Sequence, residues 1–147
     1  MSHTFAHLDG LSARLNESSD LLIESIKLVE AKLASMRLGV EAWVKEPLET
    51  ETTLDDKGDP QDKLTTWFGY AKVGADWGLY IRENSERWDE CDGSPWPSFV
   101  RLQQASRELR IKAIQQLPDL IKELEARAEA ALKAIERATI VAKAISS

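Results

Sequence analysis

The chain has one cysteine, Cys91, and two histidines, His3 and His7, among its 147 residues. A lone cysteine excludes an internal disulfide and every multi-cysteine zinc motif. Cys91 sits among Asp89, Glu90 and Asp92, and neighbouring negative charge works against the thiolate, so a nucleophilic role is disfavoured. The histidines lie ahead of the first expected helix, where a general base would be poorly held. No glycine-rich phosphate loop, paired-histidine zinc motif or serine elbow occurs. Nothing singles out one carboxylate pair among the 25 acids. The sequence therefore predicts no enzyme, no catalytic residue, no cofactor and no metal site. No run of 18 apolar residues is present, which predicts no transmembrane helix. The N-terminal residues lack the apolar stretch of a signal peptide, so a cytoplasmic protein is the expectation.

Aromatic residues and glycine are scarce at both ends and gathered in the middle. All five tryptophans, Trp43, Trp67, Trp77, Trp88 and Trp96, lie there, with six of the seven glycines, from Gly39 to Gly93. The flanks, 8–38 and 98–147, read as helical arms. In the first arm Leu8, Leu15, Leu22, Val29 and Met36 recur every seven residues, supported by Leu11, Ile26, Leu33 and Val40. Such 3–4 spacing makes one apolar seam along a helix, and Gly39 supplies a stop. In the last arm Leu117, Ile121, Leu124, Ala128, Ala131, Ile135, Ala138, Ala142 and Ile145 alternate steps of four and three. Pro118 lacks an amide hydrogen and crowds the preceding turn, so a kink is expected there. Beyond it the two arms have matching lengths, which predicts an antiparallel pair. The segment from Phe99 to Gln116 is expected to bend away as helix and lie on the central insert.

Within the insert, 39–93, three segments alternate as strands do: 40–45, 64–73 and 77–83. Gly74 and Ala75 suit a tight hairpin link. The expected fold is α+β in a single domain, with two helical arms flanking a three-stranded antiparallel meander. Residues 46–62, rich in carboxylates, read as a mobile connection. The run Asp55, Asp56, Lys57, Gly58 and Asp59 lacks the alternating ligands of a calcium loop. A second irregular stretch is expected over 84–97.

The net charge of −6 is uneven, at −1 over 1–38, −8 over 39–93 and +3 over 94–147. The basic surplus, Arg101, Arg107, Arg110 and Lys112 against Glu108, is too small for much counterion release, so duplex DNA is not an expected partner. The apolar residues Leu21, Leu28, Leu132, Ile140 and Val141 fall off the seams. A lone helix pair would leave them in water, and a bundle of two or more copies would bury them.

The leading functional expectation is thus a non-enzymatic interaction protein that self-associates through its arms and presents the aromatic insert to a partner. The alternative is a module for a small anionic ligand, such as a nucleotide. Its site would be Arg101, Arg107 and Arg110 of the last arm with Trp67, Tyr70, Trp77 and Tyr80, since arginine forks bind phosphate and aromatic rings stack on bases. A third expectation is an acidic mimic of nucleic acid. The sequence names no partner, ligand or biological process.

Overall fold

A computed structural model describes residues 3–87 and 97–147 of the chain. The described residues form an α+β fold of three α-helices and a five-stranded antiparallel sheet. Helix α1 spans His3–Met36 and is followed by strands β1 (Ala42–Trp43), β2 (Glu49–Leu54), β3 (Pro60–Val73) and β4 (Asp76–Arg87). Strand β5 (Ser98–Arg101), a 3-10 turn (Leu102–Gln104), α2 (Arg107–Gln115) and α3 (Leu117–Ser146) complete the chain. Trp88, Cys91 and Trp96 lie outside the described residues.

Helix α1 takes in His3 and His7, which were expected to precede it, and ends near its predicted stop. Arg37 and Gly39 both have positive φ, 50° and 65°, which turns the chain out of the helix. The expected hairpin is also present: Val73 pairs with Asp76 across Gly74 and Ala75. Gly74 has φ 65°, the conformation that the first residue of a II′ turn requires.

The three-stranded meander is corrected to five strands. Residues 46–62 are largely ordered pairing rather than a mobile loop, because β2 runs antiparallel along β3 from Glu49 opposite Thr66 to Leu54 opposite Pro60. The threonines at 50, 52 and 53 suit a pleated surface. At the turn, the Asp55 carboxylate accepts hydrogen bonds from the Lys57 and Asp59 amides at 2.9 Å each, and Gly58 takes φ 84°. That carboxylate shapes a hairpin. Residues 84–87, expected to be irregular, extend β4 beside β3. Together these segments form a ribbon whose β2 strand is exposed at all but Glu49.

The last arm is corrected too. Residues 98–101 are strand, pairing with β4 from Tyr80 opposite Arg101 to Glu83 opposite Ser98. The helix begins only at Arg107, where the Ser106 side chain caps the Leu109 amide, a serine N-cap. The break expected at Pro118 falls two residues earlier: Gln116 separates α2 from α3, and Pro118 lies in the first turn of α3, where proline is tolerated because no helical donor is required.

One face of the sheet carries the core. Alternation along β3 and β4 places Phe68, Tyr70, Leu79 and Ile81 on this face, joined by Ala42 and Val44 after α1. Ile26 and Leu33 of α1, Leu102, Ala113 of α2, and Leu120 and Leu124 of α3 close over them.

The arms do not form the predicted antiparallel pair. Near one end Leu33, Met36 and Leu38 share the lining of a cavity of about 200 Å³ with Ile121, Leu124 and Ala128, and Ser19 meets Arg110 of α2 at 2.9 Å. These contacts follow the same order along both segments, not the reversed order of a hairpin. The seam residues Leu8, Leu11, Leu15, Ile135 and Ile145 remain exposed. A wide sheet face is the larger apolar partner, and each helix turns its seam onto that face instead of onto the other arm.

Candidate functional site

The seven side chains proposed as a ligand site do not converge. Tyr70 and Trp77 stack at 5.4 Å on the covered face, beside Ala34, Arg37 and Leu38 of the α1 exit. Burial, and after it the Glu30 carboxylate, push the Tyr70 phenol above its ordinary pKa. Trp67 and Tyr80 belong to the opposite face by register, since Trp67 pairs with Arg82 and Tyr80 with Gly69. Arg101 is on β5 and not on the last helix, with its guanidinium 5.7 Å from the Tyr80 ring. Arg107 is exposed at the first position of α2. Arg110 is spent on structure, donating to the Ala105 carbonyl and to Ser19 Oγ. The five predicted interface residues, Leu21, Leu28, Leu132, Ile140 and Val141, are all exposed.

Two constellations emerge that the sequence reading missed. The first is Glu30, a buried carboxylate on α1. Its Oε2 accepts from Arg101 Nη2 at 2.9 Å and the Leu79 amide at 3.3 Å, and its Oε1 accepts from Gln103 Nε2 at 2.7 Å. The Leu79 amide is free for this because β5 stops pairing at Tyr80, leaving the next stretch of β4 as an edge that needs an acceptor. The hydrogen bond that Arg101 donates to Glu30 is the main cause of that guanidinium's raised pKa. Gly78 makes room for the carboxylate: a Cβ there would lie 2.7 Å from Glu30 Oε2. A signal existed, since Glu30 stands four residues after Ile26 and three before Leu33, on the apolar seam itself.

The second constellation is on the outer face. The Arg82 guanidinium lies 4.7 Å from the Trp43 ring and 4.9 Å from the Trp67 ring. Phe99 tilts against Trp43 at 6.0 Å, and the Trp43 indole N–H donates to Glu41 at 2.6 Å. The planar cation is held between two indole faces, an attraction of ring quadrupole for charge. Arg82 Nε has no hydrogen-bond partner among the described residues. The array is partly exposed, with Phe99 40% accessible, and combines the residue types that anchor protein contacts. Replacing Arg82 by alanine should cost about 1–2 kcal/mol, from two cation–π contacts in a half-buried setting. Urea unfolding followed by tryptophan fluorescence would measure it, with a red-shifted folded-state spectrum as the sign of wetter indoles.

The arms complete the inventory. Phe5, Leu8, Leu11 and Leu15 on the free half of α1 are 44–60% accessible, and Ile135, Ile140, Val141 and Ile145 on the free half of α3 are 59–80% accessible. No helix among the described residues is long and apolar enough to cross a membrane. No protein-family model matches the chain, and neither any curated protein nor any solved structure does.

Proposed function

We propose that this is a non-enzymatic interaction protein whose helical arms join two or more copies, while the sheet body is carried beside the joint for contact with a further protein. The observation that carries this reading is the free half of each long helix. Residues 4–21 of α1 and 132–146 of α3 meet little of their own chain: apart from half-buried Ser19, every residue in them is exposed. Isolated helices of that length are marginal in water, so such segments draw their stability from packing an apolar stripe. Each arm has such a stripe, and it continues the seam that the other half of the same helix buries on the sheet. Scattered surface leucines need no explanation, but a contiguous seam over several turns marks an association surface.

The bundle proposed here is therefore built between chains rather than from preformed hairpins. The outer-face array of Trp43, Trp67, Arg82 and Phe99 is the surface we assign to the further partner, because tryptophan and arginine are the usual anchors of protein contacts.

Sedimentation velocity across a micromolar dilution series provides the test. A dimer or larger species should dissociate on dilution with a parallel loss of far-ultraviolet helical signal as the arms fray. A strict monomer with undiminished helix content throughout the series would overturn the proposal.

A further inference from the structure

Resting on the assembly proposed above, we infer that the arms pair unlike with unlike: the free half of α1 in one copy lies antiparallel against the free half of α3 in another. Three observations lead there. Within one chain the two free segments leave the body far apart. Ser19 of α1 sits by Arg110, whereas Met36 at the other end of the buried half sits by Leu124 and Ala128. The helical distance from Ser19 to Met36 is roughly 25 Å at 1.5 Å per residue. One arm departs beyond the first point and the other beyond the second, so they cannot close on each other without leaving the sheet.

Charge then distinguishes the possible pairings. The free half of α1 carries Asp9, Glu17 and Asp20 against Arg14, a net of −2 with its histidines neutral. Beyond Ala131, α3 carries Lys133, Arg137 and Lys143 against Glu136, a net of +2. Pairing two α1 arms or two α3 arms brings like charges together in both interfaces, while α1 with α3 brings opposite charges together. Most of these charges stand away from the seams, so they select partners through the summed field rather than through individual ion pairs.

Shape agrees with charge. The α1 arm offers bulky Phe5, Leu8, Leu11 and Leu15, and the α3 arm offers Ala138 and Ala142 between Ile135 and Ile145. Large residues on one helix and small ones on the facing helix allow close interdigitation, whereas two leucine stripes or two alanine stripes fit less well. The free lengths also correspond, at about 28 Å and about 22 Å of helix. The antiparallel pair that the sequence predicts inside one chain is, on this inference, formed between two.

The test uses two full-length variants altered only at exposed positions. The first carries Leu11→Glu and Leu15→Glu, the second Ile135→Lys and Ala142→Lys. Each alone should self-associate at least tenfold more weakly than the parent, with unchanged near-ultraviolet tryptophan signal showing an intact body. Mixed in equal amounts, they should recover a one-to-one complex, because the intact α3 of the first meets the intact α1 of the second, and any remaining contact sets glutamate against lysine. If either variant alone associates as tightly as the parent, its altered arm takes no part in the joint; this inference then fails although assembly stands. A mixture that stays monomeric also overturns it. A monomeric parent would sink the assembly reading itself.

Discussion

Replacing Glu30 by alanine is expected to lower the unfolding free energy by about 3 kcal/mol, read as a shifted midpoint in urea with unchanged slope. Three donors converge on this carboxylate, from Arg101, Gln103 and the Leu79 amide. The loss does not measure the worth of the ion pair, because burying a carboxylate and a guanidinium itself carries a desolvation cost. It comes from the donors left behind, above all a backbone amide on a sheet edge and a charge in a confined place. Arg101 retains 35% of its side-chain exposure, so water reaches part of it and the loss stays at the lower end of the range for broken buried pairs. Glu30→Gln keeps the shape and one carbonyl acceptor and should lose about half as much. The double variant Glu30→Leu with Arg101→Met removes the charge together with its partner and should recover only the part of the loss due to the unpaired guanidinium, since the Leu79 amide and Gln103 still lack their acceptor. A single alanine substitution costing less than about 1 kcal/mol would show that the donors are resolvated, and that Glu30 does not fasten α1 to the sheet.

Gly69→Ala is expected to cost about 3 kcal/mol, at the upper end for overpacking. Gly69 pairs with Trp43 of β1 on one side and Tyr80 of β4 on the other. A methyl group at this position would overlap the Trp43 indole and lie 2.6 Å from the Ala42 carbonyl oxygen. The indole can swing outward, but then it gives up its faces to Arg82 and Phe99. The Ala42 carbonyl belongs to the backbone of β1 and can yield only by shifting that strand. The residue is thus glycine for lack of space, and backbone conformation plays no part, since its φ is not positive. Combining Gly69→Ala with Trp43→Ala separates the two collisions. If the pair costs no more than Trp43→Ala alone, the ring was the whole obstacle; a residual loss assigns the remainder to the β1 backbone. A fully stable Gly69→Ala protein with parental fluorescence would mean that the outer-face array is loosely packed.

Much of this architecture was legible because its signals are local. The seam from Leu22 to Leu33, the stop at Gly39, the turn at Gly74 and the two-residue alternation around Phe68 and Ile81 each depend on neighbours within a few positions. The same alternation separated Phe68 and Tyr70 from Trp67, as the structure does. Other features depended on distant partners. Thr50, Thr52 and Thr53 have strand propensity, but five nearby carboxylates obscured it, and only the open edge of β3 beyond β1 made them a strand. Phe99 and Val100 followed a proline and preceded a long helix, so a helical start appeared natural until β4 offered an edge to pair with. Glu30 was visible as a charge on a greasy seam, yet nothing local named Arg101 or Gln103, more than seventy positions away.

The candidate site was less legible than the fold for the same reason. Arg101, Arg107 and Arg110 are close in sequence, which suggested one cluster. A 3-10 turn and a helix cap separate Arg101 from the other two: Arg101 at the strand end reaches Glu30, Arg110 of α2 reaches Ser19 and the Ala105 carbonyl, and Arg107 is exposed. In the sequence Arg82 is only one position of the alternating segment 77–83, although it is the cation that lies over both Trp43 and Trp67.

By itself, the chain's pattern of apolar spacing determined where helices and the central strands form and which side of each is greasy, since rotation per residue is set by backbone geometry alone. The tertiary structure decided what those sides meet. A sheet face is broader than a helix seam and offers more area to bury, so α1 and α3 turned to it and not to each other, and half of each seam was left facing outward.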